Sequence, residues 1–161
     1  MVDIGWITFG GIVGVSTIIF QWLLQVQYPL LKVITENLEL KVQKEIVELA
    51  GELHNVSNSK KQKPIVLKIR AAAYARNAHS EIKTHLEKNT WICTVIALVC
   101  AFVAAIVDNT NVKYVLVAIA GLLMVVVIGY AVKISGNLEK LDRYMQDEDA
   151  VSIFADDISD E

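Results

Sequence analysis

Six residues near the N-terminus, Gly10, Gly14, Thr17, Gln21, Gln25 and Tyr28, follow one another at intervals of four, three, four, four and three. On a helix that spacing places them on one face, small at one end and polar at the other. Gly10 and Gly14 form a GxxxG pair, which lets a second helix approach closely. The amides of Gln21 and Gln25 can donate and accept hydrogen bonds, and in hydrocarbon they require a protein or water partner. Two chemistries fit the stripe. It is a packing seam closed by hydrogen bonds between helices, or copies of it surround and line an aqueous path.

The other reactive residue types offer less. His79, Ser80, Glu81 and His85 bear a superficial likeness to a hydrolytic set, but six residues separate the histidines, which point to different sides of a helix. Cys93 and Cys100 lie seven residues apart, about two helical turns or roughly 10 Å, too far for a disulfide within the helix. They read as small packing residues. With His54, His79 and His85 all outside the apolar segments, no metal-ligand spacing arises. The chain contains no phosphate-binding loop and no nucleophile elbow. The sequence therefore predicts no catalytic residue, no cofactor and no metal, and the chain reads as a non-enzyme.

The elements that must position the stripe are membrane spans. Residues 4–24, 91–107 and 112–132 carry no charge apart from Lys113 at the edge of the third. Each has about the length that a helix needs to cross a hydrocarbon core roughly 30 Å thick. They are continuously apolar rather than alternating, so helices satisfy the backbone and a barrel does not. No acid or base lies deep in a span, which argues against proton relays, voltage sensors and coupled transporters while leaving a passive pore open. Trp6, Trp22, Trp91, Tyr114 and Tyr130 occupy positions suited to the aromatic belts.

Charge orients the chain. The net charge of −3 conceals a basic body and an acidic end, for residues 147–161 hold seven acids and no base. Residues 32–90 hold eleven lysines and arginines, against Asp3 and the short Asp108-Asn109-Thr110-Asn111 turn on the other side. The positive-inside rule then predicts the N-terminus outside and the C-terminus inside.

Residues 32–90 carry helical patterns. Ile34, Leu38, Val42, Ile46, Leu49, Leu53 and Val56 recur at three- and four-residue intervals among glutamates and lysines. After a basic turn over 57–63, Pro64 suits the first turn of a second helix, with Ile65, Ile69, Ala72, Ala75, Ile82 and Leu86 along one stripe. The two stripes predict a coiled-coil-like antiparallel hairpin, its first helix kinked at Pro29. Ile134, Leu138, Leu141 and Met145 extend the third span as an amphipathic helix. The acidic end, with its one apolar island Val151-Ser152-Ile153-Phe154, is expected to be disordered.

The expected organisation is all-α, with three transmembrane helices. A first transmembrane helix covers 1–31, a cytosolic helical hairpin 32–90 and a transmembrane hairpin 91–132. A cytosolic amphipathic helix over 133–146 and an acidic disordered tail over 147–161 complete it.

From about Ile69 to Met145 the chain resembles the two-span membrane effector domains of bacterial conflict systems known as the SLATT family. The resemblance rests on Ala-Ala-Ala-Tyr-Ala-Arg-Asn-Ala-His (71–79), leading through Trp91 into a helical hairpin, and on Asn137-Leu138-Glu139-Lys140-Leu141 beyond it. It implies an oligomer that forms pores in a prokaryotic cytoplasmic membrane. The chain departs from such domains by an additional N-terminal span. Two expectations follow. One is a homo-oligomeric, pore- or channel-like effector in the lipid bilayer. The alternative is a membrane-anchored scaffold or accessory subunit that binds a cytosolic protein partner through its helices and acidic tail. Neither involves nucleic acid.

Overall fold

The computed structural model describes residues 3–56, 59–146 and 149–159, and those residues form helices and connecting turns without a strand. The longer helices are α1 (Ile4–Trp22), α2 (Tyr28–Asn55), α3 (Ser59–Glu81), α4 (Glu87–Ile106) and α5 (Thr110–Met145). Two short ones follow, α6 (Ala150–Ile153) and α7 (Ala155–Ser159). Three helical stretches, Ile4–Asn55, Lys60–Ile106 and Thr110–Met145, are long and apolar enough to cross a membrane.

Contacts divide the chain into two compact units, Met1–Gln27 with Lys83–Ser135, and Tyr28–Ile82 with Gly136–Glu161. A π-helical turn over Leu23–Gln27 joins α1 to α2, and another over Ile82–Leu86 joins α3 to α4. The first has a local cause. Pro29, second residue of α2, has no N–H to donate to the Gln25 carbonyl and its ring crowds that carbonyl, so the preceding turn widens. The kink expected at Pro29 thus takes the form of a π turn just before it.

In the first unit, α1 packs on α4 and α5. Phe9 meets Phe102 edge-on and Phe20 stacks on Trp91, so α1 and α4 run antiparallel. Asp3 meets Lys113 and Ser16 approaches Met124, so α1 and α5 run parallel. The core is built from Ile12, Ala97, Ala101, Ala120 and Met124. Its seam is made of small residues. Thr90, Thr94, Ala97, Ala101 and Ala104 follow one another along the buried face of α4. Opposite them sits Gly5, where an added Cβ would lie 2.5 Å from the Ala104 carbonyl oxygen. Close backbone approach of this kind is how membrane helices gain dispersion contacts when lipid supplies no hydrophobic drive.

In the second unit, Ile34, Leu38, Val42 and Leu49 of α2 are buried, as are Ala71, Ala72 and Ala75 of α3. Thr35 pairs with His79 at 2.9 Å and Glu39 lies 4.0 Å from Arg76, which makes α2 and α3 antiparallel. Leu138, Leu141 and Tyr144 from the end of α5 complete the core. Lys41 donates to the Tyr144 and Met145 carbonyls, satisfying acceptors that the helix end leaves open. The Tyr144 hydroxyl donates to Glu45.

Two expectations need correction here. Helix α3 begins at Ser59 rather than at Pro64, with Ser57 and Asn58 outside the described residues. Pro64 sits inside the helix because so early a proline forfeits one backbone bond at most, to the Lys60 carbonyl. The Gln62 amide meanwhile donates to the Val56 carbonyl at 2.7 Å and closes the connection. The acidic end is not disordered over 149–159, although residues 147, 148, 160 and 161 lie outside the described set. Asp149 caps α6, while Ala150, Ile153 and Phe154 are buried. Phe154 meets Tyr144 edge-on, and Lys140 pairs with Asp157 at 2.6 Å. An apolar island of one aromatic and two aliphatic residues suffices to seat an acidic segment when a core aromatic and a lysine receive it.

Candidate functional site

The structure divides the predicted stripe, with Gly10, Gly14, Thr17 and Gln21 on α1, Gln25 in the π turn and Tyr28 at the start of α2. Gly10, Gly14, Thr17, Gln21, Gln25 and Tyr28 are all exposed, and an added Cβ at Gly10 or Gly14 would meet nothing within 4 Å. The opposite face of α1 is the packed one, carrying Gly5, Ile12 and Ser16. The glycine that meets backbone is therefore Gly5, and the GxxxG pair is left open. Thr17 satisfies its hydroxyl on the Val13 carbonyl at 2.8 Å. Among the described residues neither Gln21 nor Gln25 makes a side-chain hydrogen bond.

Polar groups on the inward face behave differently. Thr90 and Thr94 are buried, and their hydroxyls donate to carbonyls one turn back, Leu86 at 2.7 Å and Thr90 at 2.8 Å. Such back-bonding conceals a hydroxyl within its own helix. Ser16 reaches the Met124 sulfur at 4.0 Å, a weak contact at best. With alanines filling the seam between these groups, the interior of a single chain offers packing rather than an aqueous path.

Gln27 is the polar residue that sequence reasoning missed. It is 8% exposed, and its Oε1 has no donor among the described residues. Its signal was present, as a third glutamine within seven residues. Its position off the stripe removed it from consideration. It lies in the π turn ahead of Pro29, where helical register changes and face assignment from a 3.6-residue period fails.

The start of α1 is tied to the start of α5 by charge. Asp3 accepts from the Gly5 amide at 2.8 Å, capping α1, and from Lys113 at 2.6 Å. The Lys113 ammonium, followed by the Gly5 amide, holds the Asp3 carboxyl below its ordinary value. The remaining reactive residue types do not converge. His79 bonds to Thr35, and the His85 side chain lies outside the described set. Cys93 and Cys100 are free and half-buried. Among the described residues no three His, Cys, Asp or Glu side chains are grouped to hold a metal.

Two polar hollows lie in the second unit. One, about 390 Å³, is lined by Lys41, Lys44, Glu45, Glu48, Lys68 and Asp149, so acids and bases balance. The other, about 350 Å³, is bordered by Tyr74, Asn77, Glu81, Asn137, Lys140 and Asp157. Lys140 pairs with Asp157, and the neutral Asn137 amide donates to Glu81. Neither presents a nucleophile beside a base. The chain matches no family model, no characterised protein and no solved structure.

Proposed function

We propose that the protein is an oligomeric, pore- or channel-like membrane effector that works without catalysis. The N-terminus lies outside and the charged helices inside, in a prokaryotic cytoplasmic membrane. Copies of α1 turn Gly10, Gly14, Thr17 and Gln21 toward one another, with Gln25 following in the π turn and Tyr28 at the start of α2. The observation that carries this reading is the outward exposure of two unbonded glutamines on a helix otherwise suited to lipid. An amide facing hydrocarbon costs several kcal/mol. A second copy or a water-filled path removes that cost, and the open space beside Gly10 and Gly14 gives the second copy room to approach. The likeness of residues 69–145 to SLATT effector domains points the same way.

The test is efflux of ions and a small dye from liposomes holding the purified protein, beside a Gln21→Leu/Gln25→Leu variant. Efflux that the variant abolishes supports the reading, and a tight bilayer with both proteins at confirmed insertion contradicts it. The scaffold reading keeps one observation of its own, an exposed apolar face on α2. The acidic end serves it less well, because Phe154 and Asp157 are already engaged within the chain.

A further inference from the structure

Helix α2 carries a second face that does not suit its surroundings. Val33, Leu40 and Val47 are 60%, 71% and 72% exposed. They stand seven residues apart, about two turns, and therefore share one side of the helix. That side is opposite the buried Ile34, Leu38, Val42 and Leu49. Lipid cannot cover it, since Glu36, Glu39, Lys44 and Glu48 are exposed on the same stretch of helix. Single exposed apolar residues need no explanation. Three at a heptad interval on a charged helix match one half of a coiled-coil seam.

Charge selects the occupant. If the three residues take the a positions of a heptad, Glu39, which stays exposed although Arg76 of α3 approaches it at 4.0 Å, falls at g and Lys44 at the following e. In a parallel pair, g of one helix faces the next e of its neighbour, so Glu39 meets Lys44 of a second copy, and the reciprocal pair forms by symmetry. In an antiparallel pair, g faces g, and Glu39 meets another Glu39. Copies inserted alike in one membrane are related by an axis along the membrane normal, which makes corresponding helices parallel where they run along that axis. The intervening d positions, Glu36, Gln43 and Ala50, are too polar or too small for a strong seam. The contact therefore depends on the high effective concentration that a shared membrane anchor provides.

We propose that α2 pairs in parallel with α2 of a second copy of this chain through Val33, Leu40 and Val47, with Glu39 and Lys44 forming reciprocal ion pairs across the seam. The proposal rests on the oligomeric reading above and adds to it a second, extramembrane contact. Its test is disulfide trapping in membranes of the full chain, with Cys93 and Cys100 replaced by alanine. Leu40→Cys and Val47→Cys each trap a same-residue dimer, whereas Glu52→Cys, exposed on the flank of α2, does not. Glu39→Lys or Lys44→Glu alone lowers trapping at Leu40→Cys by about three- to fivefold. The two reversals combined restore it. Thr17→Cys reports independently on contact between copies of α1. Trapping at Thr17→Cys without trapping at Leu40→Cys and Val47→Cys overturns the α2 contact and leaves the oligomer standing. No trapping at any position overturns both. Trapping at Glu52→Cys as strong as at Leu40→Cys, or no rescue by the double reversal, overturns the parallel pairing.

Discussion

Helices α1 and α2 each present an outer face at odds with its surroundings, and in opposite senses. On α1 and the π turn that follows it, within the apolar unit, Gln21 and Gln25 are exposed where a lone membrane helix would show aliphatic side chains. On α2, within the charged unit, Val33, Leu40 and Val47 are exposed where a lone surface helix would show polar ones. The inner faces follow the ordinary rule in both units, with alanine and back-bonded threonine in one and leucine, isoleucine and alanine in the other. Each chain thus packs its own core, the buried Gln27 amide apart, and leaves two outer faces unsatisfied. On the oligomeric reading proposed above, association between copies is what resolves that contrast.

The inner faces should break first. Phe154→Ala empties a site that is almost wholly buried against Tyr144, and its expected cost is about 3–5 kcal/mol. Limited proteolysis of the acidic end should accelerate sharply while the membrane helices remain protected. Gly5→Ala drives a Cβ into the Ala104 backbone and should cost about 1–3 kcal/mol, read as earlier unfolding in an SDS titration. Unchanged unfolding would mean that α1 and α4 do not meet at that glycine.

The outer faces should respond with the opposite sign. Gly10→Ala and Gly14→Ala add a methyl group in open space and remove a helix-interior glycine, so the isolated fold should gain about 0.4–1 kcal/mol each. The oligomer recovered on native gels should weaken at the same time. Leu40→Ser should leave the unfolding of the single chain within about 0.5 kcal/mol while reducing association. A fall in both readouts would place these residues in the chain's own core and erase the contrast.

The smallest effect concerns the Asp3–Lys113 tie. The Asp3 carboxyl titrates below its ordinary value, so its contribution is complete above the ordinary carboxylate range and disappears as pH falls through the lowered value. Lys113→Gln should remove most of this acid dependence by lowering stability slightly at neutral pH, while leaving it unchanged below the lowered Asp3 value. NMR titration of the Asp3 carboxyl in the two proteins checks it.

Much of this architecture is legible in the sequence because periodicity reports burial. The buried Ile34, Leu38, Val42 and Leu49, and later Ile134, Leu138 and Leu141, are members of stripes readable from spacing alone. Span one yields less to that method. It is apolar on nearly every side, so nothing in its pattern tells Gly5 from Gly10 as the close-contact glycine. Tertiary contact decides. The acidic end was illegible for a related reason. Helices of four and five residues have no stability of their own, and α6 and α7 exist because Phe154 finds Tyr144. The spacing from Gly10 to Tyr28 reads as one helical face, but the π turn over Leu23–Gln27 shifts the register beyond Gln21, and only the structure assigns these residues to exposed positions.

The most direct test of that assignment is labelling of single cysteines on α1 by a charged, membrane-impermeant thiol reagent. The protein is reconstituted in liposomes, with Cys93 and Cys100 replaced by alanine. Gln21→Cys and Gln25→Cys should label rapidly, as residues along an aqueous path, while Val15→Cys, exposed on a different side of the helix, should not. Equal protection at all three positions would mean that no water reaches the glutamine face, and would contradict the pore.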